Sequence, residues 1–443
     1  MLQSETVRKY DTCKDSGIEW IGKIPQNWNA RKLFGLLKSI GSGTTPKGND
    51  SYYDGDIPWL NTGDLTDSYV NIIGKTVTDI AMTECSALKL FDKNSVVIAM
   101  YGATIGKLGI ITFPTTTNQA CCVMSCSKSL YNKYLFYVLY SARDYIITLS
   151  YGAGQPNISQ ETMKSFKLCC PDVVEQQQIA DYLDKKCGEI DRVIETEKLV
   201  IEKLKEYKQS IITKAVTKGL DKSVPLKDSG IEWIGKIPQH WHRTKLKRVL
   251  STPIADGPHE TPELLDNGIP FLSAEAVKNN KLNFNFKRGF ISREEHIRFC
   301  KKCKPQLNDI FMIKSGATTG NVAIVETEDE FSVWSPLALI RVNANTIFYK
   351  YMFYYLQSNN FRRQVELFWS YGTQQNIGMD VLGNLYVAYS NRIEKQQQIA
   401  EYLDKKCSEI DKAIANKEQV IEKFTEYKKS LIYECVTGKK RVA

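Results

Sequence analysis

Two short stretches of the chain hold residue types that could do chemistry. Gly102-Ala-Thr-Ile-Gly106-Lys107-Leu108 sets a lysine behind two glycines, an arrangement whose backbone N–H groups could cradle a phosphate. It has three residues between the glycines, one fewer than a phosphate loop, and no Ser or Thr follows the lysine. A second copy, Gly316-Ala-Thr-Thr-Gly320, carries Asn321 in the lysine's place, so a β-turn or hairpin linker is the better reading. Cys300-Lys-Lys-Cys303 is a lone C-x-x-C without a matching second pair, and His296 could add a third ligand at most, short of a closed zinc site. The sequence contains no H-E-x-x-H, no G-x-S-x-G and no dinucleotide fingerprint. Of its four histidines none is duplicated inside the shared segments, which argues against a His-based mechanism common to both copies. The chain reads as a binder, with no catalytic residue and no metal ligand assigned to it.

The elements that position a binding surface follow from size and pattern. A length of 443 residues allows about three domains, and 42% hydrophobic residues suffice for packed cores. No run of the roughly 18 apolar residues that a membrane span needs occurs. The start, Met1-Leu2-Gln3-Ser4-Glu5, lacks the basic-then-apolar pattern of a signal peptide, so none is expected. Several of the twelve cysteines sit in apolar or helical runs (Cys121, Cys122, Cys169, Cys170, Cys187, Cys407) and read as reduced core thiols in a cytoplasmic protein. A formal charge of +9 permits a polyanion partner without demanding one.

The dominant feature is a tandem repeat. The thirteen residues KDSGIEWIGKIPQ run from Lys14 to Gln26 and again from Lys227 to Gln239, followed by Asn27-Trp28 and His240-Trp241. QQQIADYLDKKCGEID from Gln176 to Asp191 returns as QQQIAEYLDKKCSEID from Gln396 to Asp411. Between these motifs the copies diverge around a few anchors. Ile57-Pro58-Trp59 matches Ile269-Pro270-Phe271, and the two Gly-Ala-Thr segments match each other. Tyr151-Gly152 with Asn157-Ile158 matches Tyr371-Gly372 with Asn376-Ile377. Loop drift on a duplicated scaffold would explain the divergence, and so would two heads doing the same task on different targets.

After Gln176 the apolar residues follow a heptad. One seam runs Leu183, Ile190, Glu197, Leu204, Ile211, and the other Ala180, Cys187, Ile194, Ile201, Lys208, Ala215. The second copy has Leu403, Ile410, Lys417, Phe424, Leu431, and Ala400, Cys407, Ile414, Ile421, Lys428, Cys435. Each helix of about 40 residues would extend roughly 60 Å. Glu197 in one seam and Lys417 in the other suggest that the helices pair antiparallel with these charges facing, although two surface charges could coincide there by chance. A charge swap tests the pairing: Glu197→Lys should destabilise and adding Lys417→Glu should restore stability. The heads themselves read as mixed β with short helices, with strands at 95–100, 108–112, 309–313 and 321–325. Tyr134-Leu-Phe-Tyr137 and Tyr351 to Leu356, with Phe348, read as helices packed on them, their aromatics serving as core rather than as stacking platforms.

These residues together resemble a known family. A head opens with Gly41-Ser-Gly-Thr-Thr-Pro46 and Gly55-Asp-Ile-Pro-Trp59, continues with Tyr101-Gly-Ala-Thr-Ile-Gly-Lys107, and closes on QQQIADYL and a long helix. The unit then repeats behind DSGIEWIGKIPQHW. This resembles the specificity subunit of type I restriction–modification systems over nearly the whole chain, twice and in order. The second head departs at its opening, Asp256-Gly-Pro-His-Glu-Thr-Pro262, which is similar to a variant start in that family.

The resemblance implies an α+β chain: two mixed α/β target-recognition domains separated by two long antiparallel coiled-coil helices, pseudo-two-fold by tandem duplication. The expected segments are an N-terminal arm at 1–30, target-recognition domain 1 at 31–173 and a central helical spacer at 174–217. A linker repeating the arm follows at 218–243, then target-recognition domain 2 at 244–392, a C-terminal helical spacer at 393–436 and a basic tail at 437–443. It further implies that each head reads one half of a bipartite asymmetric sequence in double-stranded DNA, with the helices setting the spacer. Two modification (methyltransferase) subunits and the restriction (translocase and nuclease) subunits are the implied partners. S-adenosylmethionine, ATP and Mg belong to those partners, and no cofactor to this chain.

Candidate DNA-reading residues are polar ones in turn-like stretches between strands. In the first head they are Thr44, Thr45, Lys47, Asn61, Thr62, Asp64, Tyr101, Thr104, Lys107, Gln155 and Asn157. In the second they are His259, Thr261, Ser273, Glu275, Lys314, Ser315, Thr318, Asn321, Gln374, Gln375 and Asn376. Turn formation or helix capping would account for such residues equally well. Two other readings of the chain stay open at this stage: an autonomous nuclease or methyltransferase, and a coiled-coil scaffold whose heads bind protein.

Overall fold

The heptad of each repeat folds as one uninterrupted helix, Val173–Lys218 (the central helix) and Ile393–Val436 (the C-terminal helix). These come from a computed structural model that describes residues 9–150, 156–371 and 374–442. Burial follows the heptad. Ala180, Leu183, Cys187, Ile190, Ile194, Glu197, Ile201, Leu204, Lys208, Ile211 and Ala215 are buried or half-buried, in alternating steps of four and three. Ala400, Leu403, Cys407, Ile410, Ile414, Lys417, Ile421, Phe424, Lys428, Leu431 and Cys435 repeat the pattern.

The compact units of the fold are not the units of the repeat. One unit takes the chain up to Glu197 together with the segment from Gln419 on, and the other takes Lys198–Glu418. Each therefore combines a head with the first half of the long helix that follows it and the second half of the other long helix. Boundaries drawn from the repeat put each helix whole into one segment; the folded chain divides each between two units. Inside the first unit the two helix segments run antiparallel. The Lys428 ammonium lies 2.7 Å from both Asp191 carboxylate oxygens, and Lys440 sits 5.4 Å over the Tyr182 ring. Inside the second, Lys208 holds Asp411 in the same way at 2.7 Å. Asp191 and Lys208 correspond in the repeat to Asp411 and Lys428, so one ion pair is made in each unit with the roles of the helices exchanged. This explains a lysine at a seam position: its stem is half-buried and its head reaches the partner segment's aspartate. With the aspartates half-exposed, screening limits each pair to about 1 kcal/mol at most.

Each head is a sheet backed by helices. In the first, the five-stranded sheet has the order Leu37–Gly41, Cys121–Cys126, Val96–Ala99, Leu108–Ile111, Ser68–Val70. Beside it Tyr53–Leu60 pairs parallel with Thr116–Thr117 and antiparallel with Thr76–Val77. The larger sheet of the second head has six strands in the order Ala255–Asp256, Leu337–Ile340, Ile310–Ile313, Val322–Ile324, Lys281–Leu282, Val277–Lys278. Its small sheet sets Ile269–Leu272 between Gly289–Ile291 and Ser332–Val333. The aromatic runs are helices, Asn132–Ser141 and Tyr349–Gln357, and their Tyr134, Tyr351 and Tyr355 are among the largest fully buried side chains.

The repeated motifs are the fastenings between head and helix. Gln176 and Gln396 are fully buried. Gln176 Oε1 accepts from the Tyr131 N–H, while its Nε2 donates to the carbonyls of Ser129 and Pro171. Gln396 repeats this with Phe348, Thr346 and Ser390. Two turns on, Asp184 accepts from Lys133 and Tyr137, and Asp404 accepts from Lys350 and Tyr354. Burial first, then the bond to the aspartate, pushes the Tyr137 and Tyr354 phenols far up, so they stay donors. The other repeated peptide forms an antiparallel hairpin in each unit, Cys13–Asp15 with Lys23–Pro25 and Leu226–Asp228 with Lys236–Pro238. Gly22 and Gly235 take the left-handed φ of their turns, +69° and +67°. Each hairpin leads to a buried tryptophan, Trp28 or Trp241.

Candidate nucleic-acid interface

In both heads the loops at one set of strand ends converge, because the parallel strand pair and the central sheet end on the same side. In the first head Gly43 N–H donates to Thr117 Oγ1 at 3.0 Å, Asn118 N–H to the Leu60 carbonyl at 3.0 Å, and Met100 N–H to the Ala120 carbonyl at 2.8 Å. These bonds place the 43–47 loop, the turn after Leu60, the 118–120 turn and the start of the 101–107 loop beside one another. Tyr101 and Asn157 share a β-bridge, which adds the segment at 157. The second head is built alike. Trp334 N–H bonds the Leu272 carbonyl, Ser335 N–H the Pro258 carbonyl, Lys314 N–H the Pro336 carbonyl, and Ser315 bridges Asn376.

Side chains along the first edge are polar and interlinked. Thr45 Oγ1 donates to Gln119 Oε1 at 2.7 Å, and Asn118 Nδ2 donates to Asn61 Oδ1 at 3.1 Å. Asn118 and Gln119 are not among the residues singled out from the sequence: Asn118 Oδ1 accepts from Ala120 N–H in a local turn, and only parallel pairing across more than fifty residues brings that turn to this edge. Thr44 offers its carbonyl to Trp59 Nε1, and Thr62 opens the short helix Thr62–Asp64. The Asp64 carboxylate caps that helix by accepting from Asn61 N–H, which is the structural role rather than the reading one. Lys47 and Lys107 are exposed. Thr104 sits in the turn joining Val96–Ala99 to Leu108–Ile111, so the glycine-flanked segment is a hairpin, with Gly102 and Gly106 at φ +83° and +77°. Gln155 lies outside the described residues.

In the second head Thr261, Thr318, Gln374 and Asn376 are exposed, with Ser315 and Gln375 half-buried beside them. Asn321 Oδ1 accepts from Arg362, and Glu275 accepts from Arg288. Two expectations need correction. Ser273 is 1% exposed and cannot reach a base from that position. Lys314 is buried against Asp256, itself fully buried, at 3.2 Å. Lys302 bonds the same carboxylate, and His259, 68% exposed, lies 3.2 Å from it. Burial raises the Asp256 pKa and the two lysines more than offset it, leaving it below the usual carboxylate value. Lys314 thus balances an interior charge instead of presenting one. The Cys300/Cys303 pair belongs to packing: Cys303 lies in a core cluster, burial pushes its thiol up to about 12, and His296 Nδ1 is 2.9 Å from Ser332 Oγ. Among the described residues no group of three or more His, Cys, Asp or Glu is placed to hold a metal ion.

A duplicated α+β head on a long helix, with polar strand-end loops that differ between copies, defines a two-headed recognition protein. The family model for the type I restriction modification DNA specificity domain matches twice, at residues 25–206 and 252–423, and the chain belongs to that family. Its role is DNA sequence recognition for a type I restriction–modification complex. The MjaVIII specificity subunit of Methanocaldococcus jannaschii is 25% identical over 426 residues, 95% of this chain and 94% of that protein. The EcoBI specificity subunit of Escherichia coli is 23% identical over 315 residues, 68% and 65% of the two chains. Two solved structures share the fold at 14% identity. One is a chain from a study of assembly and conformational transition of the type I R-M system (TM-score 0.70, covering 93% of this chain and 98% of that one). The other is the HsdS subunit from Thermoanaerobacter tengcongensis (TM-score 0.51, covering 94% and 98%).

Proposed function

We propose that the two heads read two unlike halves of one bipartite, asymmetric DNA site through the converging strand-end loops, while the long helices set the spacing between them. The observation that carries this is the pairing of a similar backbone frame at the converging loops with different side chains. Gly43 and Gly257 occupy the same tight position in each head, yet the residues around them are Thr45, Asn61, Asn118 and Gln119 in one and His259, Glu275, Arg288 and Trp334 in the other. Base edges in the major groove are distinguished by side chains of this kind, and phosphate contacts hold them in register. Two heads on one chain turn two short half-sites into one long site. The modification subunits, two per chain in this proposal, bring S-adenosylmethionine and adenine methylation, and restriction subunits bring ATP- and Mg-dependent translocation and cleavage.

Selection from random duplexes by the full-length chain tests the reading: a consensus of two unlike blocks separated by a fixed gap is expected, and binding without sequence preference contradicts it. Within the first block, Asn118→Ala should relax one base position at a cost of about 1–3 kcal/mol, whereas Lys107→Ala should weaken binding evenly across sequences. Even weakening from Asn118→Ala would remove that residue from the reading edge. Incubated alone with Mg, or with S-adenosylmethionine, the chain should leave DNA unchanged; cleavage or methylation by the pure chain would assign the chemistry to it instead.

A further inference from the structure

We infer that Arg288 is a specificity-determining residue of the second head and that it reads a guanine. The inference rests on the proposed base-reading edge and names one base of it. Arg288 lies at that edge: its guanidinium carbon is 4.2 Å from the centre of the Trp334 ring, Trp334 N–H bonds the Leu272 carbonyl, and the next two residues, Ser335 and Pro336, bond Pro258 and Lys314. Its Nε donates to Glu275 Oε1 at 2.7 Å, with both side chains 40% exposed. The strand pairings align Phe290 with Thr76, so the first head has Gly74 where the second has Arg288. The residue is therefore peculiar to one reader.

The chemistry of the pair selects its ligand. A guanidinium carries five N–H donors in one plane. Here one face is stacked and the Nε–H is taken, which leaves the two terminal nitrogens as a fork held in a fixed direction. Guanine presents two adjacent acceptors, O6 and N7, in the major groove, and a bidentate arginine is their usual partner. A backbone phosphate would also accept from the fork, but Glu275 sets a negative charge beside it. That charge cancels much of the Coulomb attraction to an anion and leaves the directional hydrogen bonds intact. Glu275 accordingly acts as a positioning residue and not as a reader in its own right.

The test is selection from random duplexes by the full-length chain and by its Arg288→Lys, Arg288→Ala and Glu275→Gln variants. The wild-type consensus should hold a guanine in one block. Arg288→Lys, which keeps the charge and loses the fork, should reduce discrimination at that position by about tenfold to a hundredfold. All other positions in both blocks should be unchanged, and Glu275→Gln should affect the same position by less. An Arg288→Lys chain with an unaltered consensus, or an Arg288→Ala chain weakened evenly on all duplexes, overturns the assignment while leaving the two-block reading intact. A wild-type chain that selects no consensus overturns the base-reading proposal and this inference with it.

Discussion

Gly43→Ala and Gly257→Ala should each abolish recognition by one head and spare the other. A Cβ at Gly43 would stand 1.9 Å from the Thr117 carbonyl oxygen, and one at Gly257 would stand 1.8 Å from that of Val333. Both oxygens are backbone, beside strand pairs that cannot yield, so the loop itself must move by about an ångström or more. Neither glycine is needed for a left-handed φ; the constraint is space. A shift of that size exceeds the tolerance of hydrogen bonds about 2.7–3.2 Å long, so the whole cluster that Gly43 braces, including Thr45 and Gln119, loses its alignment. With each mismatched base costing about 1–3 kcal/mol, affinity for the specific site should fall on the order of a hundredfold or more, with non-specific binding retained. Competition between the intact site and a duplex with one block scrambled reads this directly. Gly43→Ala should no longer distinguish the two when its own block is scrambled, and undiminished discrimination would mean that this loop is not part of the reading edge.

Replacing Gln396 by leucine should produce a large loss of stability, as should the same change at its counterpart Gln176. The side chain makes three hydrogen bonds to backbone groups from a fully buried position, and leucine would fill the space and satisfy none of them. Each buried group left without a partner costs about 1–3 kcal/mol, so a total of about 3 kcal/mol or more is expected. For a unit of this size that lowers the melting temperature by roughly 5–10 °C. Gln177→Ala, at an exposed neighbour in the first copy of the motif, should stay within about 0.5 kcal/mol of the parent. Thermal unfolding followed by circular dichroism separates the two, and a Gln396→Leu chain melting within a degree of the parent would show that the clamp contributes little.

The periodic features of this fold could be read directly from the sequence. The heptad and the strand runs near 96–99, 108–111, 310–313 and 322–324 depend on local spacing, and they stand where the pattern places them. Features that depend on distant segments meeting could not be read. The Gln-Gln-Gln-Ile-Ala motif resembles an ordinary helix start, and its function as a clamp on Tyr131 or Phe348 shows only once the head is folded against it. Division of each long helix between two units is invisible in a repeat whose copies are contiguous in sequence. At the candidate interface, polarity singles out loops that the fold brings together, and it also singles out Ser273 and Lys314, which the fold buries. Lys314 looked like a free cation because Asp256, nearly sixty residues away, gives no local sign of lying beneath it. Arg288 carries no local sign of its role because its neighbours arrive from distant segments, Glu275 from the short helix Ala274–Ala276 and Trp334 from just beyond the strand Ser332–Val333.

In the proposed function, one chain carries two different readers. Methylation-sensitive sequencing of the genome of a host expressing the chain with its modification partner tests it most directly, with the Gly257→Ala chain run in parallel. Modified adenines are expected within a single asymmetric sequence of two unlike blocks at fixed spacing, with loss of that pattern in the Gly257→Ala host. Modified adenines in a palindrome, in one ungapped block, or in an unchanged pattern after Gly257→Ala would contradict it.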